Sequence, residues 1–164
     1  MVERVIAVLG DRTRVDDRTD TYFITPATEI LAKVRGDEAF EIKLLLQARD
    51  GCERWTKEVR QPLNGSRKLE EMMGPQIEAR SARTLLHSVR RGLSVVEVKK
   101  LRQIFRVGPA QVEATYLRVA GEPYETLALE APQFELCTEL AETLGFKDHD
   151  NLNYGAALRR RPVR

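Results

Sequence analysis

Charge carried at every second residue is the feature of this chain that could do chemistry. In the stretch EILAKVRGDEAFEIKLLL, Glu29 to Leu46, Lys33 and Arg35 share a side with Leu31, while Ile30, Ala32 and Val34 take the other, because residues two apart in a strand share a face. Across the turn, Glu41 and Lys43 with Leu45 oppose Phe40, Ile42 and Leu44. A later run, VVEVKKLRQIFRV, sets Lys100 and Arg102 in line with Val96, Val98, Ile104 and Arg106. Glu113 shares a face with Gln111 and Thr115, and Glu130 with Tyr124, Thr126 and Ala128. Lysines and arginines held together repel one another and lose solvation, so an enclosed face rich in them calls for an anion, most often a multiply charged phosphate. Carboxylates on the same side could hold a divalent metal that bridges phosphate oxygens. On a solvated sheet face the same alternation records only inside and outside.

The elements that must position these residues read as a meander of strands, then helices, then more strands. Val5 to Leu9 is an apolar run closed by Gly10-Asp11, which suits a first strand. Arg12 to Asp20 is almost wholly polar and reads as a loop, and Thr21 to Ile24 as a strand stopped by Pro26. Ile30 to Arg35 and Ala39 to Leu46 form a hairpin about Gly36-Asp37, and a strand from Glu53 to about Val59 follows the turn Asp50-Gly51. Between Ser66 and Arg91 the spacing predicts two helical pieces broken at Gly74-Pro75. Strands resume at Val95 to Val107, Gln111 to Val119 and Tyr124 to Glu130. Last, Phe134, Cys137, Leu140, Ala141 and Leu144 fall on one helical face, with Gly145 at the C-cap. Runs of strands with helices between them predict an α+β fold with an antiparallel sheet of eight strands.

The bulk properties narrow the setting. A chain of 164 residues is about one domain long. A net charge of +2 and 6% aromatic residues argue against nucleic acid as a partner. Basic residues collect at the end, in RRRPVR, Arg159 to Arg164, which reads as a solvated, flexible tail. Cys52 and Cys137 stand apart with no CxxC or Cys/His cluster, so a reduced, cytoplasmic protein is expected and a zinc site is not. No apolar run approaches the ~20 residues of a membrane span, and the N-terminus lacks the apolar length of a signal peptide.

The spacing of VRGDEAFEIKLL, RWTKEV, VEVKKLRQIF, QVEATYL, TLALEA and NLNYGAAL resembles the CYTH-like family, the triphosphate tunnel metalloenzymes, from about Tyr22 to Leu158. That resemblance implies a single CYTH-like domain over 1–164: an eight-stranded antiparallel β-tunnel with helices packed outside, holding a triphosphate-containing small molecule together with Mg2+ or Mn2+. Lys33 and Arg35 match the family's early basic pair, Lys43 the lysine of its hairpin partner, and Lys100 and Arg102 its later phosphate-binding pair. Arg54, with Glu58, looks like the next strand's Arg/Glu pattern, although Thr56 stands where another acid is often found. Glu113 and Glu130 match two carboxylates of the metal site, and Glu3 is what remains of the N-terminal Glu-x-Glu-x-Lys, with Met1 and Val5 at its other positions. Ala128 replaces the first acid of the final Glu-x-Glu. The phosphate-binding residues are thus better kept than the metal ligands, and no residue is assigned a catalytic role.

Two functions follow from different classes. One is a metal-dependent phosphohydrolase, with Lys33, Arg35, Lys43, Arg54, Lys100 and Arg102 on the phosphates and Glu3, Glu113 and Glu130 on the metal; an adenylyl cyclase needs the same metal plus base recognition, for which no residue stands out. The other is a catalytically degenerate module that binds polyphosphate or nucleotide. A structural or RNA-binding descendant ranks behind both. Family members are often dimers, so a homodimer is an option, although no exposed apolar strand demands one. No GxxxxGK[ST] or GxGxxG is present, so neither a P-loop nor a Rossmann site is expected.

Overall fold

The computed structural model describes residues 2–36, 39–62 and 94–160. In chain order these form α1 (Val2–Leu9), β1 (Arg14–Ile24), β2 (Ile30–Arg35), β3 (Ala39–Arg49), β4 (Cys52–Pro62), β5 (Ser94–Val107), β6 (Ala110–Val119), β7 (Glu122–Glu130), α2 (Phe134–Thr143) and α3 (Tyr154–Arg159). The strands make one seven-stranded sheet ordered β4-β3-β2-β1-β5-β6-β7, and β1 with β2, β2 with β3, β5 with β6 and β6 with β7 pair antiparallel. The α+β class with an antiparallel sheet is as expected. The closed eight-stranded tunnel is not: among the described residues there are seven strands, and their order has two ends, β4 and β7. The helical pieces expected between Ser66 and Arg91 lie outside the described residues.

The lost strand is Val5 to Leu9, which is helical. Five apolar residues in a row fit either element, and the choice is made by the residues before them. Val2, Val5, Ile6 and Leu9 recur at helical spacing; Val2 and Val5 are buried, while Glu3, Arg4, Ala7 and Val8 are exposed. Gly10, at a φ of +72°, ends the helix with its N–H on the Ile6 carbonyl at 3.2 Å. The expected loop from Arg12 to Asp20 is instead most of β1, and Thr13 N–H bonds to the Ile104 carbonyl at 2.7 Å. Polar composition misleads here because several of these charges are paired on the sheet.

Two compact units share the chain: one comprises Met1–Thr19, Ala48–Cys52 and Val98–Asn151, the other Asp20–Gln47, Glu53–Glu97 and Leu152–Arg164. In the first, Val2 and Val5 of α1 pack on Phe105, Val112 and Ala114, with Ile6, Leu9, Leu127, Leu129 and Leu144 around them. The helix therefore covers the apolar face of β5, β6 and β7. Helix α2 ends as expected: Gly145, at a φ of +75°, donates to Glu142 O at 3.0 Å and Phe146 to Ala141 O at 3.0 Å, closing the last turn.

In the second unit Tyr22 pairs with Lys33 and Lys33 with Glu41, while Phe23, Ala32 and Ile42 align on the other face. Phe23 and Phe40 meet edge to face at 6.2 Å in that apolar layer. Asn153 caps α3 by accepting from Ala156 N–H at 2.9 Å, and Tyr154 stacks on Tyr22 at 5.2 Å. Arg159, expected in a loose tail, belongs to α3; its Nε donates to Thr25 O at 2.9 Å and its Nη2 to Ala27 O at 2.7 Å. Residues 161–164 of the expected tail lie outside the described set. No described helix is long and apolar enough to cross a membrane.

Candidate functional site

In the first unit, β5 sets Arg102 opposite Thr115 of β6 and Ile104 opposite Glu113, so Arg102 reaches Glu113 on the diagonal. Its Nε donates to Glu113 Oε1 at 2.7 Å and its Nη2 to Oε2, a two-pronged bond on a carboxylate that also accepts from Thr115 Oγ1 at 3.1 Å. The remaining prong, Nη1, donates to Asp16 Oδ2 at 2.6 Å. That one oxygen also accepts from Arg18 Nη1 at 2.7 Å and from Arg14 Nη2 at 3.0 Å. Three guanidinium groups thus share one carboxylate oxygen. Arg102 and Glu113 are buried, as is Lys100 beside them at 3% exposure.

Electrostatics follow from this crowding. Burial works to raise the pKa of Glu113, but the hydrogen bond and charge of Arg102, with the charge of Lys100, outweigh it and hold the carboxyl below its ordinary range. Asp16 is shifted the same way: burial opposes, and Arg18, Arg14 and Arg102 prevail. Arg102 is held above its ordinary value, since Glu113 and Asp16 outweigh its own desolvation.

In the second unit, Lys33 Nζ donates to Asp20 Oδ2 at 3.0 Å and lies 5.6 Å from the Tyr22 ring centre. Asp20 is wholly buried and Glu41 is 3% exposed. The Glu41 Oε1 atom is buried with Arg60 Nε at 3.7 Å and Lys57 Nζ at 4.0 Å, ion-pair distances too long for a hydrogen bond. Arg35 is half-buried between Asp20 of β1 and Ala39 of β3 in the register, and Arg54 is exposed. Lys43 is half-buried opposite Leu31, and among the described residues it has no hydrogen bond or ion pair. The charged sides of these strands are therefore largely buried, and the alternation does not mark a solvated sheet face.

The three carboxylates expected on a metal do not come together. Glu3 sits exposed on α1 and accepts from the Tyr116 hydroxyl, whose side of β6 is opposite that of Glu113. Glu113 has both oxygens engaged by Arg102. Glu130 is exposed opposite Gln111, at the end of β7. Among the described residues no group of three or more His, Cys, Asp or Glu side chains is placed to hold a metal ion, so the predicted donor set does not fit one cation. Met1 and the Glu58 side chain lie outside the described residues.

Sequence reasoning misses Asp16, Arg18 and Asp20 because their segment reads as loop, whereas Tyr22 falls in the stretch Thr21 to Ile24 that reads as a strand. One signal was available: Arg14, Asp16, Arg18 and Asp20 carry charge at every second position, which is the strand period expressed in charges instead of apolar residues. A groove of about 630 Å3 in the first unit, lined by Asp17, Lys99, Lys100, Tyr116, Arg118 and Glu125 among others, takes in Lys100 of the charged group but not Asp16, Arg102 or Glu113.

No family model matches the chain, and no curated relative does. Among solved structures it is similar to the PH1012 protein of Pyrococcus horikoshii OT3, with a TM-score of 0.62 and 20% identity over 94% of this chain and 90% of that one. It is also similar to a conserved hypothetical protein from Pyrococcus furiosus, with a TM-score of 0.58 and 18% identity over 94% and 92%. At such identities the likeness is one of fold: this chain and those two proteins share an antiparallel α+β architecture.

Proposed function

We propose that this chain binds a triphosphate-containing small molecule through strand-borne arginines and lysines, and that it acts as a binding module. The observation that carries this reading is the sharing of Asp16 Oδ2 by Arg14, Arg18 and Arg102 in the first unit. Guanidinium groups are suited to phosphate because each offers a planar fork of donors, and a phosphate supplies separate oxygens to several forks. Lys100 adds a buried cation to that group. Lys33, Arg35 and Lys43 give the second unit basic residues of its own on the charged side of β2 and β3. Binding is favoured over hydrolysis because Glu3, Glu113 and Glu130 do not converge, which leaves no assembled carboxylate set among the described residues to hold a metal against a phosphate.

The test is to titrate purified protein with inorganic triphosphate and with ATP, each with and without Mn2+, following thermal stability and phosphate release together. A ligand present at 100 times its Kd stabilises the folded state by about 2.7 kcal/mol. Stabilisation without release supports the binding module. Sustained release that requires Mn2+ replaces it with the hydrolase, and absence of both effects removes triphosphate as the ligand.

A further inference from the structure

Asp16 is placed oddly for a structural ion pair. One of its oxygens serves three guanidinium groups, at 2.6, 2.7 and 3.0 Å, although a carboxylate has two oxygens to distribute among donors. Arg102 does not depend on Asp16 for its position, since two of its three nitrogens are held by Glu113. Arg14 is 54% exposed at its side chain and Asp16 is 19% exposed, so both can move outward without opening the apolar layer. A phosphate group brings three acceptor oxygens in a tetrahedral arrangement and could give each arginine its own. A carboxylate in that place imitates the anion incompletely.

We propose that the Asp16 carboxylate is an internal stand-in for a ligand phosphate, and that the ligand binds by displacing it from Arg14, Arg18 and Arg102. This rests on the triphosphate reading above and goes beyond it, because it makes ligand binding an exchange of anions on a preassembled arginine group. Two consequences follow. The site is held in its basic geometry when no ligand is bound, which limits the cost of organising three long side chains on binding. It also discriminates by charge: a singly charged anion offers the arginines little more than Asp16 already does, whereas a polyphosphate offers more oxygens and more charge.

The experiment compares the affinities of wild type, Asp16→Asn and Asp17→Asn for inorganic triphosphate by calorimetric titration, with acetate at matched ionic strength as the singly charged probe. Asp17 is the neighbouring, exposed acid on the alternate face of β1, so its variant removes the same charge without freeing the arginines. The expected result is triphosphate binding tightened about tenfold or more in Asp16→Asn and changed less than about twofold in Asp17→Asn, with no binding of acetate to wild type. Wild-type binding that is unchanged or weakened by Asp16→Asn overturns the stand-in and leaves the triphosphate reading intact. Equal tightening in both variants reduces the effect to general electrostatics and overturns it as well. No binding by any of the three overturns both. Thermal melts check that each variant folds, and Asp16→Ser, which removes the charge at smaller volume, takes the place of Asp16→Asn if that variant does not.

Discussion

Arg102 grips Glu113 through two of its nitrogens, strand to neighbouring strand, and spends its third on Asp16. This makes Arg102 the residue that joins the two carboxylates. Removing one partner of a buried pair leaves an uncompensated charge, whereas removing both need not. Glu113→Gln is expected to cost about 3 kcal/mol, the low end for such a pair because neighbouring Asp16 is 19% exposed at its side chain. The double change Arg102→Met with Glu113→Leu should cost less than Arg102→Met alone and Glu113→Leu alone added together. Urea unfolding in a double-mutant cycle measures the difference, and simple additivity would mean the two-pronged bond contributes nothing specific.

Acid should loosen the first unit. Asp16 and Glu113 are both held below the ordinary carboxylate range by their arginines. A group whose pKa is lowered on folding contributes stability that is present above its unfolded value and lost as the pH falls through its folded value. The melting temperature should therefore hold at neutral pH and fall as the pH drops below about 4, where free carboxylates titrate. Glu113→Gln should flatten that fall while lowering stability at neutral pH, and an unchanged acid limb in the variant would contradict the assignment.

Tyr116 is expected to ionise late. Its hydroxyl donates to Glu3, and that bond, with some desolvation and the charge of Glu3, pushes the phenol up to about 12. For a raised pKa the contribution to stability is full below the unfolded value and is lost as the pH rises through the folded one. Absorbance at alkaline pH should show the Tyr116 phenol titrating after the ordinary range near 10. Glu3→Gln should bring it back, and a titration that ignores Glu3 would show that the helix residue does not govern it.

Two lysines of the hairpin should behave differently. Lys33 serves Asp20, which has no exposure at all, so Lys33→Ala is expected to lower stability by about 2 kcal/mol. Lys43 has no hydrogen bond or ion pair among the described residues, and Lys43→Ala should change stability by no more than about 0.5 kcal/mol. Urea unfolding of the two variants measures the difference, and equal losses in both would contradict the pairing of Lys33 with Asp20.

The sequence by itself determined which residues face together within each well-patterned strand. Lys33 and Glu41, and likewise Arg102 and Thr115, stand side by side because period two and the hairpin turns fix the register, and both are local properties. The Gly145 cap and the apolar face of α2 were legible for the same reason. Tertiary structure alone decided the rest. Val5 to Leu9 is helical because Val2, four positions before Ile6, completes a stripe that packs on Phe105 and Val112, more than a hundred residues away. Arg14 to Asp20 is a strand because Asp16 finds Arg102 across the sheet, which makes an almost wholly polar segment tolerable there. The scattering of Glu3, Glu113 and Glu130 is also a tertiary fact: spacing along a chain says which side of a strand a carboxylate takes, and nothing about whether a helix carries its supposed partner to the opposite face.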